Sequence, residues 1–365
     1  MKKKRNLIII LPNFKFGGAG NSVFSFINFL KKEEFNINII CVGSCDYKKL
    51  FNKKVELFEL ENRGLFFLFP KIISIIKKIQ KNHFKNIVYS NHHYTNVYSI
   101  ILKIFFKNIY VVGVERTCIY ELSKYFSLKD FIKKKIIRLL VVNLYKFSNF
   151  IISNTKYTKK EIYKFSKKNI TQIYSPSIMK IKKYKKKNIN DKVNLLWVGR
   201  LSEEKSCEDL IRSVKYINFK ANIFILGDGK YYNAIKKLVR KNQNKNINIY
   251  LKKYIKNPET YFSKSHILIN TSYFEGSNNA IIQGINNNML ILASNVPGGN
   301  KELLKNNNFG YLYKKDDEKD LALKLNELNK YYNKLHSKLK LKKKFLIYFT
   351  DNFSNQKTLK IINKL

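Results

Sequence analysis

Short, wholly apolar runs recur along this chain, each closed by turn-forming residues and followed by a longer stretch of helical period. Residues 7–11 read Leu-Ile-Ile-Ile-Leu, pass through Pro12-Asn13-Phe14-Lys15-Phe16 to Gly17-Gly18-Ala19-Gly20, and lead into a helix predicted over about 21–32. Runs at 37–42, 55–60, 86–89, 109–114, 150–153 and 170–174 continue the series. Helices are predicted over 71–81, 94–106 and 128–147, and another from Thr155. Strand, turn, helix, strand is the rhythm of a parallel sheet, so the fold class expected is α/β. A lysine-rich segment without apolar period, IMKIKKYKKKNINDK, then precedes a second series at 194–198, 221–226, 246–250, 266–269 and 289–293. At 365 residues the chain exceeds the size at which one core usually stops growing. We therefore expect a Rossmann-like domain over 1–178, a linker over 179–192, a second Rossmann-like domain over 193–344, and a terminal helical segment over 345–365.

Ligand chemistry concentrates in the second series. After the apolar 267–269, a polar Asn-Thr-Ser-Tyr turn leads to Glu275-Gly276, a helix is entered at Asn278-Asn279, and an apolar strand returns at 289–293. In an open parallel sheet such a loop lies at the carboxyl end of a strand, where ligands bind, and the free N–H groups of the following helix attract anions. A carboxylate beside that anion site is suited to hydroxyl groups rather than to phosphate. An isolated glutamate there would more simply cap a surface helix, and Gln283 would be a solvated helix residue; it is the block as a whole that argues for a site.

That block, Glu275-Gly276, Asn279, Gln283-Gly284, Pro297-Gly298-Gly299 and Glu302-Leu303-Leu304, resembles the donor-binding block of the family 4 retaining glycosyltransferases. The resemblance implies the GT-B fold: two Rossmann-like domains facing across a cleft, with a terminal helix crossing back to the first. It also implies that Glu275 orients the transferred sugar and that Gly276, Ser277, Asn278 and Asn279 line the phosphate site. The family usually places a second acid where this chain has Gln283, seven residues after Glu275. An amide still donates to and accepts from a ribose hydroxyl. Gly199-Arg200-Leu201 with Glu204-Lys205 resembles the family's phosphate-binding pair, so Arg200 and Lys205 are expected to stabilise the departing diphosphate. Gly17-Gly18 resembles the loop that faces the donor phosphates. Many members carry a histidine after the strand that ends here at Val114; this chain has Glu115-Arg116, which with His92 are the acceptor-side candidates, either contacting substrate or pairing with each other.

The function expected is transfer of a sugar from a nucleotide diphosphate sugar, with retention, to a hydroxyl acceptor on a glycan or lipid-linked carrier. No cofactor or metal is expected, because the acidic pair Asp316-Asp317 reads as a helix N-terminus. A degenerate member that keeps the fold without activity is the alternative within the family. A nucleic-acid-binding protein is the alternative from charge alone: the net charge is +46. The lysines are spread through both halves, however, and no aromatic-basic recognition motif accompanies them, so no specific nucleic acid partner is expected. Cys41, Cys45, Cys118 and Cys207 are too scattered for a disulfide scaffold, and no run approaches a membrane span; a cytoplasmic location follows. The helix over 128–147 interleaves Lys129, Lys133, Lys134, Lys135 and Arg138 with Phe131, Ile132, Ile136, Leu139 and Leu140, and 65–69 add aromatics. Such a surface can rest on an anionic bilayer at the inner face of the plasma membrane.

Overall fold

The computed structural model describes residues 5–30, 35–51, 55–60, 65–80, 85–168, 170–243, 245–305, 307–339 and 343–365. The chain divides into two units, one of Met1–Pro176 with Asp351–Leu365, the other of Ser177–Thr350.

Among the described residues of the first unit, seven strands form one parallel sheet. They are β1 (Arg5–Leu11), β2 (Phe35–Cys41), β3 (Val55–Glu59), β4 (Asn86–Asn91), β5 (Ile109–Glu115), β6 (Phe150–Ser153) and β7 (Ile170–Gln172), in the order β3-β2-β1-β4-β5-β6-β7. Strand β1 is central, with Ile9 opposite Ile39 of β2 and Tyr89 of β4. Its side chains alternate between two buried layers. Ile8 and Ile10 join Ile72, Ile76, Val97, Ile137 and Ile162, whereas Leu7, Ile9 and Leu11 join Val23, Phe26 and Ile27 of the helix Gly18–Phe29. Burial on both faces is why these strands carry no polar alternation. Ile361 and Ile362 of the terminal helix Asp351–Ile362 belong to the second of these layers, and Asn355 bonds Ser25 at 2.9 Å. The terminal helix is thus part of the first unit, while 345–350 remain with the second.

One helix differs from expectation. Leu65–Ile79 begins six residues before the predicted start and runs through Pro70. A proline this early removes one main-chain bond from the ladder, and buried Leu68, Ile72, Ile76 and Ile79 hold the rest.

The second unit repeats the plan with β8 (Val193–Val198), β9 (Ala221–Leu226), β10 (Ile247–Lys252), β11 (Ile267–Asn270), β12 (Leu290–Ser294) and β13 (Gly310–Tyr313), all parallel, in the order β10-β9-β8-β11-β12-β13. In each unit successive connections turn one way from the first strand and the other way from the fourth. The switch points therefore fall between β1 and β4 and between β8 and β11, where ligands bind in such sheets. The lysine-rich stretch expected as a linker is fastened along the second unit. Lys182 N donates to Asn286 at 2.9 Å, Lys187 Nζ donates to the carbonyls of Phe262 and Ser265 at 2.8 and 2.6 Å, and Asn188 O lies 3.1 Å from His266 Nε2.

Candidate active site

The loops leaving β8 and β11 meet at the switch point of the second unit. Trp197 Nε1 donates to Thr271 Oγ1 at 2.9 Å, and that hydroxyl donates to the carbonyl of Lys205 at 2.8 Å. Tyr273 N bonds the carbonyl of Glu204 at 2.9 Å, so both loops are pinned where they face each other. Lys205 Nζ then reaches Glu275 Oε1 at 2.7 Å.

Glu275 is 7% exposed, and a buried carboxylate is tolerated only when it is paired and hydrogen-bonded. Here one oxygen takes the whole load. Oε1 accepts from Lys205 at 2.7 Å, Ser272 Oγ at 2.6 Å, and Asn270 Nδ2 and Asn278 Nδ2 at 3.1 Å each. Oε2 accepts nothing from the described residues. Behind this cluster Asn300 Nδ2 donates to Asn270 Oδ1 and to Ser294 O at 3.0 Å, and Ser294 Oγ donates to Ser272 O at 2.6 Å. Gly298 has φ 123°, and a Cβ there would lie 1.9 Å from Glu275 O. The Pro-Gly-Gly sequence thereby lets a second main chain back onto the glutamate.

The helix Asn279–Asn286 starts beside it. Asn278 caps it, its Oδ1 accepting from Ile281 N at 3.2 Å while its amide donates to Glu275. Ser277 Oγ is buried without a hydrogen-bond partner. Gly284 packs against Leu268 and Ile291, where a Cβ would sit 3.0 Å from each, and so seats the helix on β11 and β12. Asn279 Oδ1 accepts from Ser177 Oγ at 2.9 Å, and Gln283 Nε2 donates to Ser177 O at 3.4 Å. The structure thus brings together Lys205, Glu275, Gly276, Ser277 and Asn278, and sets Asn279 and Gln283 on the helix face held by Ser177. Arg200 stands apart: its side chain is 74% exposed, with Glu204 3.7 Å away. Gly199 packs under Trp197, the ring 3.0 Å from where its Cβ would be. The sequence pattern puts Asn270-Thr271-Ser272 in a turn and carries no local mark at Asn300. Polar residues at the end of a buried strand are the available signal for the first three; Asn300, the first residue of the helix Asn300–Leu304, is recognised only where the fold sets it against Asn270. The acidic pair is as expected in one respect, since Asp317 caps the helix Glu318–Lys330.

In the first unit Gly17 has φ 137°, and the helix after it begins at Gly18 rather than near Asn21. Glu115 corrects the expectation of substrate contact or pairing with Arg116. It is fully buried, its Oε1 accepting from Asn96 at 2.8 Å and from the Tyr145 hydroxyl. Arg116 instead donates from Nε and Nη2 to Asn91 Oδ1 at 3.0 and 2.9 Å, and from Nη1 to Ser175 Oγ at 3.2 Å. His92 Nε2 lies 3.5 Å from Glu121. Burial disfavours the charged form of both, but their mutual attraction outweighs it, raising the His92 pKa and lowering that of Glu121 to about 2. Burial and the charge on His92 lower the pKa of His93.

On the helix Leu128–Leu144, Ile137 and Val141 pack inward, and so does Lys134, bonded to Asp130 at 2.9 Å and to Lys124 O at 2.7 Å, contrary to its expected place on the basic face. Leu128, Ile132, Ile136 and Leu139 are exposed. Of the aromatics expected nearby, Phe69 packs on Tyr98 and Phe105, and the side chains of 65–67 lie outside the described residues.

Residues 179–360 match the family described as Glycosyl transferases group 1. An uncharacterized glycosyltransferase of Methanocaldococcus jannaschii is 30% identical over 252 residues, which is 64% of this chain and 60% of that protein. A Campylobacter jejuni protein, named as an α-1,4-N-acetyl-D-galactosaminyltransferase acting on a GalNAc- and diNAcBac-containing PP-undecaprenol, is 25% identical over 332 residues, 87% of this chain and 86% of its own. The crystal structure of Anabaena HepE in complex with UDP and glucose superposes with a TM-score of 0.77 at 15% identity, covering 99% of this chain and 100% of that one. That likeness supports the GT-B fold.

Proposed function

Because this chain belongs to the group 1 glycosyltransferases, we propose that it moves a sugar, with retention, from a nucleotide diphosphate sugar to a hydroxyl of a lipid-linked or polysaccharide acceptor. The observation that carries the reading is the loading of Glu275: four donors fix Oε1 and leave Oε2 open to accept from sugar hydroxyls. Beside it, unpartnered Ser277 Oγ and the N-terminus of the helix Asn279–Asn286 suit a diphosphate. Lys205 places an ammonium at the same point, and exposed Arg200 is available to the departing phosphate. Electrostatic stabilisation of the leaving group by these cations and the helix N-terminus is the chemistry required, without a metal in the transfer step. Glu115 keeps no part in substrate contact; His92 and Arg116 are the acceptor-side groups.

The acceptor places the enzyme at the inner face of a membrane, with the exposed side of the helix Leu128–Leu144 toward anionic lipid. The Campylobacter relative, named for a lipid-linked substrate, supports this. The test of the function is a screen of nucleotide diphosphate sugars for thermal stabilisation, then for release of the nucleoside diphosphate in the presence of EDTA. One donor should stabilise the protein and be turned over. Duplex DNA that stabilises it where no nucleotide does would favour the charge-driven alternative.

A further inference from the structure

The carboxyl end of β4 carries a cluster of which only His92 has a part in the proposed sugar transfer. His93 is fully buried, yet neither ring nitrogen makes a hydrogen bond: Nδ1 lies 3.4 Å from Glu115 Oε2 and Nε2 lies 3.9 Å from Glu121 Oε1. His92 Nε2 lies 3.5 Å from the other oxygen of Glu121. Ligand atoms from His92, His93 and Glu121 all fall within 4.8 Å of one another. We propose that the first unit binds a zinc-type divalent cation through His92 Nε2, His93 Nε2 and the Glu121 carboxylate, with a fourth position left for water.

Three observations support the assignment. Zinc bonds nitrogen and carboxylate oxygen at about 2.0–2.2 Å, which sets tetrahedral ligand atoms roughly 3.3 Å apart. His92 Nε2 and His93 Nε2 lie 3.5 and 3.9 Å from different oxygens of Glu121, and one ligand atom from each residue lies within 4.8 Å of the others. Closing on zinc therefore draws the ligand atoms together by up to roughly 1.5 Å. Next, a metal-bound imidazole commonly gives its other N–H to a carboxylate. Glu115 is placed for this: Asn96 and Tyr145 hold Oε1, and Oε2 faces His93 Nδ1. Finally, the backbone of His92 is bent to φ 87°, ψ 143°, which a side-chain-bearing residue rarely adopts. The bend sets consecutive imidazoles side by side, ring centroids 4.0 Å apart, rather than diverging.

The charges are consistent with a dication. Two neutral imidazoles, Glu121 and Glu115 sum to two negative charges, while nearby Lys134 is paired with Asp130 at 2.9 Å and Lys133 lies over the Tyr94 ring at 4.5 Å. Three ligands of mixed nitrogen and oxygen type with an open position favour zinc over calcium or magnesium. The ion would clamp the turn Ile119–Ser123, which bears Glu121, to the end of β4. The proposal is independent of the donor chemistry.

The test is metal content of the full-length protein after dialysis with excess Zn²⁺ and washing, with affinity measured by competition against a chromophoric chelator. One zinc per chain is expected, and Glu121→Gln and His92→Asn should each weaken binding at least tenfold with the far-UV circular dichroism unchanged. His266→Gln, a histidine in the other unit, should leave it unaltered. Cobalt substituted for zinc should show a d–d spectrum without a thiolate band. Substoichiometric zinc in the parent, unchanged affinity in Glu121→Gln, or a thiolate band would overturn the proposal.

Discussion

Glu275 and Lys205 form a salt bridge whose two members have separate tasks. With Oε1 held by four donors, a Gln at position 275 would present an amide nitrogen to groups of which all but the Ser272 hydroxyl can only donate, or turn it toward the sugar hydroxyls. Glu275→Gln should therefore cut turnover about a hundredfold or more, the scale seen on losing one well-placed polar group in a transition state. Arg200 offers a cleaner test because its side chain is 74% exposed and loosely paired. Arg200→Ala should lower turnover by a similar factor, while the stability change stays within about 0.5 kcal/mol, as for ordinary surface substitutions. Normal turnover in that variant would remove Arg200 from the chemistry. Lys205, Glu275 and Gly276 were legible in the sequence because they lie within short contiguous motifs. Thr271 and Asn300 were not. They matter because Thr271 ties the loop after β11 to the carbonyl of Lys205, and Asn300, at the start of the helix Asn300–Leu304, holds Asn270. Such meetings of loops are a property of the sheet rather than of any local run.

At the scale of elements, the start of the helix Asn279–Asn286 couples stability to chemistry through one side chain. Asn278→Ala loses both the cap and a donor to Glu275, and should cost about 1 kcal/mol in denaturant unfolding together with activity. Asn278→Asp keeps a capping oxygen but sets a second carboxylate against Glu275; stability should largely return and turnover should not. The helix Lys156–Ser166 offers a pH test. Glu161 accepts from Ile119 N and Tyr120 N at 2.9 and 3.1 Å, yet burial outweighs those bonds and pushes its pKa from 4.5 to about 7. A carboxyl with its folded pKa above its unfolded value binds more protons when folded, so its contribution favours the folded state at low pH and is lost as pH rises from about 4.5 to 7. Glu161→Gln should flatten the fall in melting temperature across that window; an unchanged slope would show that Glu161 titrates normally. Element boundaries were legible where apolar runs ended in glycine or proline, and were misjudged at Leu65–Ile79, where Pro70 reads as a helix start but lies inside one.

For the whole molecule, two doubly wound sheets were readable from the apolar runs, since strands covered on both faces leave an unbroken signature. The stretch after Ile178 was not, because asparagine side chains and the Lys187 ammonium fasten it to the second unit and leave no apolar period to detect. Net charge is likewise a property of the whole, and what it attracts depends on where apolar surface accompanies it. Among the described residues no helix is long and apolar enough to cross a membrane. The helix Leu128–Leu144 nevertheless presents Leu128 at 76%, Ile132 at 52%, Ile136 at 44% and Leu139 at 65% exposure among Lys129, Lys133, Lys135 and Arg138. The inward stripe is spent on the core, so this second apolar set is surplus to folding. Leucine and isoleucine side chains entering the headgroup boundary gain hydrophobic energy, and each adjacent Lys or Arg adds about 1 kcal/mol near an anionic surface. The protein should co-sediment with vesicles containing anionic lipid at physiological salt and not with neutral vesicles. Leu139→Ser with Ile132→Ser should weaken that binding without lowering the melting temperature, because neither side chain is part of the core. If the parent stays in the supernatant with both kinds of vesicle, the helix face is ordinary solvated surface and the acceptor is met in solution.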